Sequence, residues 1–411
     1  MIAFYLIACF LLLAQGATAY NNSESIDDLQ AMNLSNQISN QTSSEEFNSS
    51  EFAFVDLGLS DSYYEYDPYS QIPDEPEVIS LAFPASDLNA DNATDLLVMN
   101  ISSEPDTGAF NSDISAFSGA DGSLLWQREY PGSLVFARAA GDLNGDGLTD
   151  IMIDEILSGG SFIPYSSISA LDGSNGTAIW SRTRMLAVTL AYPVQDISKD
   201  NASEFLVHVF GLDSMNNSMF TSIATVSGSN GTNLDERIFS GALAIEYPAG
   251  NLTIDLVQDS IAAIYQFNES MTLEAEEAPM NITATIFQAM DGQEHEMLWN
   301  RSFAGPALAM PVTDLTGDGR DELIVYLMEL AGNDSMSCDI AVLQGSDGEL
   351  LWQQSFAGPA LAVAGPDLTG EGRRDLFVYR LGESESAEVL AIKGDDGRML
   401  WSKEGMIFVP Q

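Results

Sequence analysis

The sequence predicts an all-β protein, a β-propeller of six four-stranded blades, with seven blades as the alternative. Two periodic features predict this fold. A nine-residue acidic frame recurs at 87–95, 142–150, 196–204, 314–322 and 367–375, at intervals of 53 to 55 residues apart from one gap of 118. All five tryptophans stand at one position of the same period. Repeats of this length with four short strands are typical of propeller blades, whereas a helical solenoid needs long stretches of 3.6-residue periodicity.

The acidic frame itself predicts a cation loop between two strands. Each copy places an oxygen-bearing side chain at positions 1, 3, 5 and 9, and a short apolar run such as LIVYL follows. Calcium prefers such a set of oxygen ligands, and an EF-hand is excluded because its closing Glu at position 12 is replaced here by Val or Ile. The residue at position 7 differs between copies, as expected if it binds the ion through its main-chain carbonyl. We therefore expect up to five Ca²⁺ ions.

The predicted ligands are the frame residues at positions 1, 3, 5 and 9, with three residues at position 7. They are Asp87, Asn89, Asp91, Asp95, Asp142, Asn144, Asp146, Leu148, Asp150, Asp196, Ser198, Asp200, Glu204, Asp314, Thr316, Asp318, Arg320, Glu322, Asp367, Thr369, Glu371, Arg373 and Asp375. A single copy could be an ordinary hairpin turn, but five copies in one register favour metal. At position 6, Asn92 and Asn201 replace Gly, and Asn tolerates the left-handed conformation expected there.

The repeats are expected near 77–130, 131–184, 185–241, 242–302, 303–356 and 357–411. The repeat at 242–302 fills the long gap and is interpreted as degenerate, without the acidic frame. The aromatic landmark is Trp126, Trp180, Phe239, Trp299, Trp352 and Trp401, interpreted as packing anchors rather than sugar-stacking rings. The final MIFVPQ at 406–411 looks like the first strand of a further unit, which either latches the ring or joins residues such as 52–59 in a seventh blade.

These motifs resemble a known family of repeats. The frame followed by an apolar strand resembles the FG-GAP and VCBS repeats of integrin α-subunit propellers and microbial surface proteins, and turns such as SDGELLW are similar to those of PQQ-type propellers. The resemblance covers about residues 77–405. It implies a calcium-binding propeller that acts as a non-catalytic adhesion or interaction module, with an extracellular protein or glycan as partner. A carbohydrate-binding lectin or a polysaccharide lyase is the alternative, because propellers host both.

The N-terminal residues predict export. Residues 1–19 read as a signal peptide with cleavage after Ala19, too short for a comfortable membrane span, so no transmembrane span is expected after cleavage. Residues 20–76 form a low-complexity acidic leader. Fifteen Asn-x-Ser/Thr sequons suit a secreted or cell-surface glycoprotein, and loss of Cys9 would leave Cys338 without a disulfide partner.

The net charge and the catalytic motifs that the sequence lacks argue against several classes of function. A formal net charge of -47 disfavours nucleic acid and anionic lipid as partners. His208 and His295 are the two histidines, and neither stands in a recognisable catalytic motif. The acids recur in register, whereas an active site should break the repeat once. We therefore expect a binding protein without catalysis.

Overall fold

The computed structural model describes residues 78–103, 109–157, 165–194, 196–213, 218–255, 257–267, 282–293, 296–330, 336–381 and 387–405. These residues form 24 strands in six four-stranded sheets. The strands are β1 Val78–Pro84, β2 Leu96–Ser103, β3 Phe110–Phe117, β4 Leu124–Tyr130, β5 Ser133–Ala139, β6 Ile151–Leu157, β7 Tyr165–Leu171, β8 Ala178–Met185, β9 Ala187–Pro193, β10 Phe205–Asp213, β11 Ser218–Val226, β12 Asn233–Ser240, β13 Ala242–Gly250, β14 Asp259–Phe267, β15 Ile282–Met290, β16 Met297–Ala304, β17 Ala307–Val312, β18 Glu322–Leu330, β19 Met336–Leu343, β20 Leu350–Ala357, β21 Ala360–Ala364, β22 Leu376–Leu381, β23 Ala387–Ile392 and β24 Met399–Glu404.

Each sheet is an antiparallel meander of four consecutive strands, so blade 1 is β1–β4, blade 2 is β5–β8, and so on to blade 6, β21–β24. The prediction of a six-blade propeller is confirmed. Alternate residues of a strand face opposite sides of the sheet, and β5 shows this as alternating buried and half-buried positions. The predicted signal peptide, acidic leader and terminal MIFVPQ lie outside the described residues.

The hydrophobic core lies between blades, in what we call the seams. Five clusters of buried apolar side chains each join two consecutive blades. At the seam of blades 5 and 6, for example, Tyr326 and Ile340 pack with Leu376 and Val378. Burial of such side chains drives folding, so every internal blade is stabilised from both faces.

The tryptophan landmark ties one blade to the next. Trp126, Trp180, Trp299 and Trp352 each donate an indole N–H to a glycine carbonyl in the following blade, at 2.6 to 2.7 Å. The ring also packs on a second glycine of that turn, where a Cβ at Gly397 would lie 2.6 Å from the Trp352 ring. These four tryptophans therefore pack between blades, as the sequence predicts.

Blades 1 and 6, the first and last of the six, each lack one half of this tryptophan–glycine contact among the described residues. Trp401 of blade 6 is 41% exposed, against 7% for Trp352. In blade 1, no described residue lies within 4 Å of a Cβ placed at Gly122, the position that a tryptophan ring covers in blades 2, 3, 5 and 6. Every residue of β1 is exposed, including Phe83. Within the described ranges, no hydrophobic cluster joins blade 6 to blade 1.

No helix within the described part of the chain is long and apolar enough to cross a membrane.

Candidate metal centres

The acidic frames all connect the first strand of a blade to its second strand. The loop turns through left-handed residues at positions 4 and 6, with φ between 76° and 84° at the glycines of blades 2, 5 and 6. Blades 1 and 3 place Ala90, Asn92, Lys199 and Asn201 in the same region, at φ between 61° and 73°. Side chains with a Cβ are unfavourable there, so these two loops are held in place by their other contacts.

The acids at positions 1 and 5 hold the loop backbone. In blade 2, the carboxylate of Asp142 accepts the N–H groups of Gly145 and Gly147 at 2.7 and 2.8 Å. Asp146 accepts the N–H of Leu148 at 2.8 Å. Similar bonds lower the pKa of Asp367 in blade 6, chiefly because the N–H of Gly372 donates to it. The acids at positions 1 and 5 therefore fix the backbone of an exposed loop.

The acid at position 9 is buried and joins two parts of the blade. Asp150 is fully buried; it accepts the N–H of Leu143 at 2.8 Å and, from the turn between the third and fourth strands, the N–H of Gly173 at 3.0 Å. Burial raises its pKa. Asp95 and Asp375 make the equivalent pair of bonds. With both oxygens hydrogen-bonded to the backbone, an aspartate at this position acts as a clamp.

A glutamate at position 9 behaves differently because its side chain is one methylene longer. Asp196, Asp200 and Glu204 bring three carboxylate oxygens within 4.8 Å of one another, and so do Asp314, Asp318 and Glu322. These triads belong to blades 3 and 5, the two blades with Glu at position 9. Among the described residues, no third group of three acids reaches this spacing. Two of the five predicted frames thus assemble a carboxylate cage that can hold a metal ion.

The triad of blade 3 contains an uncompensated oxygen. Glu204 is fully buried, and its Oε2 accepts the N–H of Ile197 at 2.5 Å. Its Oε1 has no hydrogen-bond partner among the described residues. In blade 5, Glu322 is also fully buried, and burial raises its pKa to about 7. A buried carboxylate is costly without a partner. A cation between the three acids would compensate it, so these residues fit Ca²⁺.

The remaining predicted ligands are on the same loops but in different roles. Asn89 and Asn144 at position 3 accept the N–H of position 5 at 2.9 Å, whereas Thr316 donates its hydroxyl to Glu322 at 3.1 Å. At position 7, Arg320 forms an ion pair with Asp318, and Arg373 with Asp395.

Blade 4 contains a sixth frame, so the expectation that the repeat at 242–302 lacks one is wrong. Residues 251–259, NLTIDLVQD, connect β13 to β14, and Asp259 accepts the N–H groups of Leu252 and Gly292 at 2.7 and 2.8 Å. Asn251, Thr253 and Asp255 stand at positions 1, 3 and 5. The signal was present in the spacing, since 251 lies 55 residues after 196. Apolar residues at positions 4 and 6 concealed it.

A residue outside the frame also has a fixed place in each blade. It opens the turn between the third and fourth strands, and we call it the turn residue; the turn residues are Ser118, Asp172, Ser227, Asp291, Gln344 and Lys393. Three of them contact position 5 directly: Ser118 donates to Asp91 at 3.2 Å, Gln344 to Asp318 at 3.1 Å, and Lys393 lies 2.9 Å from Glu371. In blades 1, 5 and 6 the turn residue therefore sets the charge beside position 5.

His208 is a packing residue at the seam of blades 3 and 4. It is 1% exposed, its ring stacks on Tyr192, and its Nε2 accepts the N–H of Glu246 at 2.8 Å. Burial lowers its pKa to about 3, so the imidazole is neutral near pH 7. Glu246 in turn pairs with Arg237. His295 lies outside the described residues.

Comparisons with known proteins leave the activity open. No protein-family model matches the chain. A rhamnogalacturonan lyase is similar with a TM-score of 0.40 and 14% identity over 79% of this chain, which spans 64% of the lyase. A Synechocystis apocarotenoid oxygenase variant scores 0.34, with 11% identity over 74% of this chain and 69% of that one. The β-propeller domain of the Pyrococcus furiosus trilobed protease scores 0.21, with 9% identity over 76% and 92%. At such low similarity, no activity or ligand of these proteins can be inferred for this chain.

Proposed function

We propose that this protein is an exported, calcium-stabilised β-propeller that acts by binding an extracellular protein or glycan at or near a cell surface. The observation that carries the calcium part is the triad of Asp196, Asp200 and Glu204. Its buried Glu204 Oε1 has no hydrogen-bond partner in the described part of the chain. Calcium takes carboxylate oxygens of this kind and would offset the negative charge that these acids bring together.

The binding part of the proposal rests on the repeat and its resemblance. The frames of the internal blades carry out structural tasks, joining strands and turns within a blade. Their acids recur in every blade, so none of them marks a single reaction centre. The resemblance to the FG-GAP and VCBS repeats of adhesion proteins then favours a scaffold that presents a surface. Export accounts for both the sequons and the supply of calcium, since external calcium can fill loops of modest affinity.

The calcium claim is tested by thermal unfolding of the full chain in EDTA and in increasing CaCl₂. A ligand of the native state should raise the melting temperature, by the equivalent of about 2.7 kcal/mol at a hundredfold excess over Kd. Glu204→Gln should remove part of the increase, whereas Asp235→Asn, an exposed aspartate of β12 outside the frames, should preserve it. An unchanged melting temperature at millimolar calcium in the parent protein would refute calcium stabilisation.

The binding claim is tested by probing the full chain against an array of glycans and by co-purification from intact cells of its source. Calcium-dependent retention of an extracellular protein or glycan, without turnover, is expected. Incubation with acidic polysaccharides provides the opposing outcome. Release of unsaturated sugar would replace the adhesion role with a lyase role.

A further inference from the structure

Blades 5 and 6 carry closely matching frames with different turn residues. The frames read DLTGDGRDE at 314–322 and DLTGEGRRD at 367–375. Position 5 is acidic in both, as Asp318 and Glu371. The turn residue is the neutral Gln344 in blade 5 and the cationic Lys393 in blade 6. Blade 6 is the one described blade whose turn residue is positively charged, and its frame also ends in Asp375 where blade 5 has Glu322.

Lys393 is surrounded by the acids of its own blade. Its Nζ lies 2.9 Å from Glu371 Oε2 and 3.2 Å from Asp395 Oδ1, with Asp396 Oδ2 at 3.8 Å. The lysine side chain is only 12% exposed, although lysine usually keeps its ammonium in water. Arg373 adds a second cation, with Nη1 2.8 Å from Asp395 Oδ2. The acid at position 5 of this frame is thus already compensated by the protein.

Gln344 adds no charge beside the equivalent acid of blade 5. Its Nε2 donates a hydrogen bond to Asp318 Oδ2 at 3.1 Å, which orients the carboxylate without cancelling its charge. Arg320 is the only described cation paired with Asp318, at 3.5 Å. Asp318 remains within the carboxylate triad with Asp314 and Glu322, whereas the acids of the blade 6 frame do not gather in this way among the described residues.

We propose that Lys393 is a built-in cation that takes the place of calcium at the blade 6 frame, and that the charge of the turn residue, together with the acid at position 9, decides which frames bind the ion. The inference rests on the calcium binding proposed above and extends it. A fixed unit charge about 4 Å from a divalent ion repels it strongly when both are partly shielded from water. Calcium is therefore confined to blades with a neutral turn residue and a Glu at position 9, namely blades 3 and 5.

The test transfers the lysine to blade 5. Calcium binding to the full chain is counted by isothermal titration calorimetry for the parent protein, for Gln344→Lys and for the control Gln344→Met, which loses the amide without adding charge. The parent and Gln344→Met should bind at both triads. Gln344→Lys should lose one ion or bind it on the order of a hundredfold more weakly. Equal binding by Gln344→Lys and Gln344→Met would overturn the inference.

A second measurement separates this inference from the proposed calcium function. Melting temperatures are taken in EDTA, where no ion contributes. Gln344→Lys should then raise the melting temperature above that of Gln344→Met, because the new ammonium compensates Asp318. In blade 6, Lys393→Gln should lower it more than Lys403→Gln, an exposed lysine of β24 outside the frame. If the parent binds no calcium, the calcium proposal fails, yet these shifts still support Lys393 as a built-in cation. If the shifts are absent, the inference fails even where calcium binds.

Discussion

Blades 5 and 6 have closely matching sequences but different surroundings. Trp352 is buried against the turn of blade 6 and donates its indole N–H to Gly394 at 2.7 Å, whereas Trp401 is 41% exposed. Tyr326 hydrogen-bonds to the backbone of Ala362 in the next blade, whereas the Tyr379 hydroxyl has no partner within the described residues.

The comparison shows that a repeat position has no fixed energetic role of its own. The tryptophan and the tyrosine stabilise the protein only where a following blade supplies a glycine turn and a first strand. Position 5 likewise depends on a neighbour, because Gln344 or Lys393 decides its charge balance. Substitutions made in pairs at matching positions can therefore measure each seam and each frame separately.

The largest contrast is expected for the tryptophans. Trp352→Ala should lower the free energy of unfolding by about 3–5 kcal/mol, since it removes a large buried ring and one hydrogen bond at a seam. Trp401→Ala should cost less than about 1 kcal/mol because nearly half of the ring is already in water. Urea unfolding followed by far-UV circular dichroism measures both. A comparable loss from the two variants would mean that Trp401 is covered by a segment outside the described residues.

A smaller contrast is expected for the acids at position 5. Asp318→Asn should reduce the calcium-dependent rise in melting temperature by about half, because one of two triads is lost. Glu371→Gln should leave that rise unchanged and lower stability in EDTA by at most about 1 kcal/mol, the usual value of a partly exposed ion pair. Calorimetric melts with and without calcium provide the measurement. A calcium response that falls equally in both variants would contradict the assignment of calcium to blade 5.

Much of the fold was predictable because one physical requirement repeats. The loop needs left-handed residues at positions 4 and 6, and the Gly pattern, with Asn92 and Asn201 as tolerated substitutes, indicated this directly. Spacing between frames then gave the blade length and count. The frame at 251–259 was missed because Ile254 stands where the other blades have small or polar residues, although its oxygen-bearing positions are retained.

The different roles of the frame acids, and the contact with Lys393, could not be predicted from the repeat pattern. The repeat pattern does not distinguish aspartate from glutamate at position 9. One methylene nevertheless decides whether the carboxylate clamps the turn, as Asp150 does, or reaches a triad, as Glu322 does. Lys393 was missed because it is 18 residues from the frame's last acid, Asp375, and approaches Glu371 only through the sheet. Such contacts depend on the register between the second and third strands.

The smallest contrast is expected for the tyrosines four residues after position 9. Tyr326 donates its hydroxyl to Ala362 O at 2.9 Å and accepts Ala362 N–H at 3.2 Å. Tyr326→Phe should therefore cost about 1–2 kcal/mol, because a buried backbone N–H loses its partner. Tyr379→Phe should change stability by less than about 0.5 kcal/mol, since its hydroxyl has no partner among the described residues. Urea unfolding of the two variants, each beside its parent, measures the difference. A loss above 1 kcal/mol for Tyr379→Phe would contradict this expectation and would indicate that another strand packs on blade 6, as in the other seams.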